Sequence, residues 1–347
     1  MQKTIFGQLP GGQNAEQFTL SNTNGVICKL LNYGVTIASL EVPDSKGNLA
    51  NVILGFDNLE GYLQNTFFGS VCGRTANRIG GAKFSLDGKI YKLTANEGEN
   101  QLHGGFHGFD KQIWRAVEKS GGVEFSYLSR DGEEGFPGNL EVKVLVTLTN
   151  ENELRLDYSA TTDKPTPVNL TSHGYFNLAG NDDILSHEVF IAADSYTPTD
   201  LKLIPTGEIK SVKGTPMDFI TPKTIDSQMK QFPTAASGYD GNFIINGGGK
   251  NLTLAARVRE PKSGRVMETW TTQPGVQFYT ANHFNGIRGR NGARYEKFGA
   301  FCLESQHFPD SVNKPNFPSI ILRPGEIYRQ TCVYKFLVVH SSELSTK

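Results

Sequence analysis

Two residues carry the first chemical hint: His173, set in the stretch PVNLTSHGYFNL, and Glu304, which ends the apolar run Phe301-Cys302-Leu303. A carboxylate in such a run is costly to bury unpaired, and partial desolvation raises its pKa toward neutrality. A histidine near 6.5 is its natural opposite number for proton traffic, so the two residue types suit general acid and base work. Three further stretches set polar groups beside glycines. GRTANRI offers Asn77 and Arg78, whose guanidinium fork suits the oxygens of a neutral sugar as well as it suits a carboxylate. NQLHGG places His103 before Gly104 and Gly105, which let a ligand or another backbone approach the imidazole. GYDGNF holds Asp240, by default a turn residue. His103 and His107 have the spacing of a helical zinc pair, but two glycines between them oppose a helix and no HExxH pattern accompanies them, so no metal site is expected. His187, His283, His307 and His340 read as surface or structurally satisfied histidines.

The elements that must position these groups are strands. Short β-rich runs at 17–20, 26–31, 36–42 and 51–54 are separated by Gly, Asn, Asp and Pro clusters. Phe84-Ser85-Leu86 and Ile90-Tyr91-Lys92-Leu93 flank Asp87-Gly88, which predicts a type I′ hairpin. Val142, Val144, Val146 and Leu148 alternate with other residues, as do Leu154, Leu156, Tyr158 and Ala160, and a period of two means strands with one buried face. Further strands are expected at 189–192, 252–258, 266–272, 276–280, 301–304 and 331–338. No window sustains a helical apolar period, and Gly247-Gly248-Gly249 before Lys250 reads as a hairpin loop rather than a phosphate loop. The expectation is an all-β chain: a large antiparallel β-sandwich in a single domain, residues 1–347.

Composition narrows the partners. Thirty-four basic and thirty-five acidic residues give a net charge of -1, so no single-sign field draws nucleic acid or an anionic membrane. No run of about 18 apolar residues occurs, and MQKTIFGQLPGGQ lacks an apolar signal region, which favours the cytoplasm. Cys28, Cys72, Cys302 and Cys332 are widely spaced in apolar settings and read as free, buried thiols. The expected partner is small and uncharged, and the expected assembly a monomer or weak dimer.

Taken together, GRTANRI, NQLHGGFHGFDKQIW, DGEEGFPGNL, TPVNLTSHGYFNLAG, GYDGNF, TTQPGVQFYTAN, CLESQHFPDSVNKPNFP and LRPGEIY, in that order from Gly73 to Tyr328, resemble the aldose 1-epimerases, or galactose mutarotases. The resemblance implies a galactose-mutarotase-like supersandwich, without cofactor or metal, that interconverts the α and β anomers of free hexoses such as galactose and glucose. It implies that His173 is the acid protonating the ring oxygen and Glu304 the base removing the anomeric proton. It implies that His103, Asn77, Arg78, Asp240 and Gln277 hold the sugar's oxygens. The chain departs from the family pattern at Gly241, where histidine is frequent, and at Ser172 and Gly174 beside His173. These put the orientation of Asp240 and His173, and hence the preferred sugar, in question. A sugar-binding protein without turnover, a hexose-6-phosphate epimerase, and a glycosidase using Asp240 with Glu304 are the competing readings.

Overall fold

The computed structural model describes residues 1–231 and 238–339, so His340 lies outside the described residues. Strands dominate, as the alternation requires. Leu140–Leu148 and Glu153–Thr162 pair antiparallel with Val144 opposite Tyr158 and Leu148 opposite Leu154. Their alternating apolar residues, from Leu140 to Leu148 and from Leu154 to Ala160, point inward, while Leu145 lies on the other face; burying a large apolar side chain contributes about 1.5–3 kcal/mol. The predicted hairpin forms between Lys83–Leu86 and Lys89–Lys92, and Asp87 and Gly88 both have positive φ, as a type I′ turn needs.

Three sheets carry the architecture. The first takes strands Gln2–Gln8, Asn14–Ser21, Ile27–Leu31, Thr36–Pro43 and Leu49–Asn51 in sequence order. The second has nine strands, running from Arg115–Lys119 at one edge to Lys223–Thr224 at the other, with the long C-terminal strand Tyr328–Val338 at its centre. In the third, Asp240–Ile244, Gly275–Tyr279 and Cys302–Gln306 are neighbours. One apolar cluster draws Leu30 from the first sheet, Val144, Leu156 and Tyr334 from the second, and Phe243, Phe278 and Leu303 from the third. The sheets therefore share a core, and the antiparallel sandwich expected from the sequence is the fold.

Three details differ from expectation. Gly247 to Gly249 do form a turn, but the strands it joins, Asp240–Ile244 and Thr253–Arg259, belong to different sheets, so it is a crossover between layers and not a hairpin loop. The strand expected at 51–54 lies at Leu49–Asn51, with Ile53 forming only an isolated bridge to Phe176. A short helix, Leu59–Gln64, is capped by the Asn58 side chain accepting the Gly61 N–H. It is too brief to show a sustained helical period, and its buried Leu59 and Tyr62 join an apolar cluster that holds Phe56, Phe68 and Tyr295 together with Ala15, Leu31 and Ala38 of the first sheet. All four cysteines are free and buried. No helix among the described residues is long and apolar enough to cross a membrane.

Candidate active site

The third sheet presents its chemistry through register. Asp240 pairs with Tyr279, Tyr279 with Cys302, Asn242 with Gln277, and Gln277 with Glu304. Because side chains alternate, Asp240, Asn242, Gln277, Tyr279, Cys302, Glu304 and Gln306 share one face. Phe243, Val276, Phe278 and Leu303 take the other, in the core. Glu304 can therefore follow an apolar run without facing the core: the residues before it alternate between two environments.

His173 arrives on a separate segment laced to this sheet. Its N–H donates to the Ser70 carbonyl (2.8 Å), its own carbonyl accepts the Gly69 N–H (3.0 Å), and Phe176 and Phe301 exchange backbone hydrogen bonds just beyond. The imidazole then stands with Nε2 3.5 Å from Glu304 Oε1, both side chains almost wholly buried. Glu304 Oε2 is buried without a partner among the described residues. His103 lies beside them, its ring centroid 5.1 Å from that of His173. It is locked to the Asn77 backbone, with its N–H donating to the Asn77 carbonyl (3.0 Å) and the Asn77 N–H donating to His103 Nδ1 (3.2 Å). Accepting at Nδ1 fixes the neutral tautomer with hydrogen on Nε2, so His103 can only donate. The glycines after it serve the fold: a Cβ on Gly104, at φ +90, would lie 1.9 Å from the Gly73 carbonyl oxygen.

Phe67, Asn77, Arg78, Glu97, Leu102, His103, His173, Tyr175, Asp240, Tyr279, His283 and Glu304 enclose a cavity of about 150 Å³. That lies below the roughly 300–1,000 Å³ of sites for drug-sized ligands, so it admits one small molecule. Clefts of about 1100 and 650 Å³ occur elsewhere, but neither is lined by a histidine. Every residue expected in the site except Gln277 lines the cavity. Gln277 stands behind it, its Nε2 donating to Asp240 Oδ1 at 2.6 Å. Arg78 is both salt-bridged and in the site, since its Nε and Nη2 donate to Glu97 at 2.7 and 2.6 Å, leaving Nη1.

Burial governs the electrostatics. It raises the Glu304 carboxyl well above its ordinary range, helped by Asp240 and opposed by Arg78. It lowers His173 to about 4. His103 is pushed well below its usual value by burial, then by His173, Arg78 and Lys111. Possible ligand atoms of His103, His173 and Glu304 lie within 4.8 Å of one another. A metal-bound histidine donates its other ring N–H outward, whereas the other nitrogen of His103 faces the Asn77 N–H, so this trio does not suit an ion.

The departures from the family pattern have local fits. The space beside Gly241 is taken by Met217, whose Cε would lie 2.4 Å from an added Cβ, and the Phe176 ring fills the space beside Gly174. Ser172 Oγ is buried without a partner among the described residues. Sequence reasoning missed Phe67, Glu97, Leu102, Tyr175 and Tyr279, and took His283 for background. Tyr175 and Tyr279 sit inside the quoted motifs and could have been found there. Phe67 has φ +69 and lays its ring 4.6 Å from His103 and 5.8 Å from His173, a placement that depends on backbone shape.

Fold and cavity define a β-sandwich protein with a buried carboxyl–imidazole pair facing a site for one small molecule. The chain belongs to the aldose 1-epimerase family, whose model matches residues 16–335. It is 49% identical to the galactose mutarotase of Bos taurus over 97% of this chain and 98% of that protein. It is 38% identical to the aldose 1-epimerase of Escherichia coli over 94% and 97%. Among solved structures, the aldose epimerase homologue from C. elegans superposes with a TM-score of 0.89 at 31% identity, covering 94% of this chain and 100% of that one.

Proposed function

We propose that the chain catalyses mutarotation of free aldohexoses such as galactose and glucose by opening and reclosing the hemiacetal ring. The observation that carries this is the Glu304–His173 pair, 3.5 Å apart and buried on the wall of a cavity for one small molecule. Relatives named galactose mutarotase and aldose 1-epimerase support it.

Glu304 takes the proton from the anomeric O1 while His173 gives one to the ring O5, and the C1–O5 bond breaks to leave an aldehyde. Rotation about C1–C2 presents the other carbonyl face. O5 then attacks C1, its proton returns to His173, and Glu304 returns a proton to O1. No net proton is consumed, so the pair must exchange roles within each turnover. His103, as a fixed donor, Asn77, Arg78 and Asp240 hold the hydroxyls, and Gln277 keeps Asp240 in place. In the cavity the Arg78 fork is already engaged by Glu97, so it is not free to pair with a phosphate dianion, which favours a neutral sugar. The core shared by the three sheets supports reading the chain as one domain.

General acid and general base assistance are each worth roughly 10²- to 10⁴-fold. Glu304→Gln and His173→Ala should each lower the catalysed rate on fresh α-galactose by about that factor, followed by polarimetry. Near wild-type rates in either variant would refute the assignment. Sugar binding without acceleration over buffer would instead support a binding protein, and faster turnover of glucose 6-phosphate than of glucose would overturn the neutral-sugar reading.

A further inference from the structure

The two edges of the His173 ring meet different groups of one strand. Nε2 faces Glu304 Oε1 at 3.5 Å, and Nδ1 faces the sulfur of Cys302 at 3.6 Å. Cys302 and Glu304 are two residues apart on the same face of Cys302–Gln306, so a single strand grips both edges of the imidazole. Cys302 is fully buried, and burial, then Glu304 and Asp240, keep its thiol protonated.

A nitrogen that gives a proton to O5 and takes it back must be bare when the ring is neutral. The other nitrogen must then keep its hydrogen, and something must hold that hydrogen in place. We propose that Cys302 is a positioning residue for His173, its sulfur accepting the Nδ1–H so that Nε2 alone carries the proton exchanged with the sugar. This rests on the proton-exchange role given to His173 above. The two neighbouring imidazoles then have opposite tautomers: the Asn77 N–H puts the His103 hydrogen on Nε2, while Cys302 keeps that of His173 on Nδ1. His103 is a permanent donor and His173 an exchanger.

A thiol suits the task better than a carboxylate. An anionic partner at Nδ1 would stabilise the imidazolium and oppose release of its proton. Neutral sulfur is a weak acceptor that fixes the tautomer without making the ring a stronger base. The remaining groups around His173 are the ring of His103, with Arg78 and Lys111 near it, the Tyr175 ring at 4.8 Å and the Phe67 ring at 5.8 Å. Cys72 acts electrostatically on both Tyr175 and Cys302, Tyr279 on Tyr175, and Asp240 on Cys302.

The test begins with ¹⁵N NMR of histidine-labelled wild-type protein, with His173 assigned by its loss in His173→Ala. At neutral pH, Nδ1 should give a protonated, pyrrole-type signal and Nε2 a pyridine-type one. Cys302→Ala should lose this preference and lower kcat roughly tenfold with KM unchanged, the size of one hydrogen bond's net contribution. Cys302→Ser, which restores an acceptor, should recover most of kcat. A pyridine-type Nδ1 in the wild type would overturn the proposal without any variant, as would Cys302→Ser being as slow as Cys302→Ala, which marks a packing role. Failure of the underlying proton-exchange reading would show differently, as near wild-type mutarotation in His173→Ala.

Discussion

In the proposed mechanism, turnover depends on a proton count shared by Glu304 and His173. Burial pushes the carboxyl up and the imidazole down to about 4, so the dry cavity favours the neutral pair with the proton on Glu304, and ring opening starts from the less populated charged pair with the proton on His173. The ring-opened intermediate has the first distribution, neutral on both groups, and the dry cavity lowers its cost relative to the charged pair. Below about pH 4 the imidazole gains a second proton and no base remains. Above the raised value of Glu304 the last proton leaves and no acid remains. A plot of kcat/KM against pH should therefore be bell-shaped, since it reports the free enzyme's groups. Asp240 helps to raise Glu304 and is not among the causes acting on His173. Asp240→Asn should thus lower the alkaline limb's pKa and leave the acid limb in place, whatever it does to the height. An unmoved alkaline limb in that variant would exclude the coupling. The pair and its motifs were legible because a carboxylate in an apolar run demands a reason. Phe67 and Glu97 were not, because a phenylalanine and a glutamate outside any motif leave no sign of the backbone that brings them to the cavity.

Strands position the proposed catalytic face and a tight crossing of two loops completes it. The alternation that told apolar from polar faces was readable residue by residue, and it correctly predicts the buried faces of Leu140–Leu148 and Glu153–Thr162. Partnership between strands was not readable, because period two names a face and not a neighbour. The Gly247–Gly249 turn shows this: the same turn chemistry serves a hairpin or a crossover between sheets. Gly104 shows the converse, a local requirement with a distant cause. Its positive φ and its close approach to the Gly73 carbonyl hold His103 against Asn77, and both contacts are with backbone that cannot swing away. Gly104→Ala should destabilise the fold by about 2 kcal/mol or more and lower kcat/KM by misplacing His103. Denaturant unfolding alongside polarimetry checks both effects, and a variant as stable and active as wild type would contradict the crossing's role.

At the scale of the whole molecule, the sandwich keeps groups dry that water would normally solvate. Glu304 Oε2 alone, buried without a partner among the described residues, costs roughly 1–3 kcal/mol, which a core spanning three sheets can offset. The same dryness makes global stability depend on pH through residues outside the cavity. His187 is fully buried beside the Phe301 ring, its Nε2 accepting the Leu178 N–H at 3.1 Å. Burial holds its pKa near 4, although Glu260 and Asp183 pull it upward. Its value in the unfolded chain is about 6.5. Between those values the unfolded chain binds the extra proton, so stability falls as pH drops through this window. Asp240 and Glu304 act in the opposite sense, since their raised values make the folded state bind protons that the unfolded chain releases, a contribution lost as pH rises. Wild-type acid sensitivity is therefore a net of opposing groups, and a single substitution separates them. His187→Gln keeps an acceptor for the Leu178 N–H and removes the titration. Its unfolding free energy should fall less than that of wild type between pH 7 and 5, by about 2 kcal/mol. If urea titrations at the two pH values give the same drop for both proteins, His187 is not charging on unfolding and the acid response must arise elsewhere in the core.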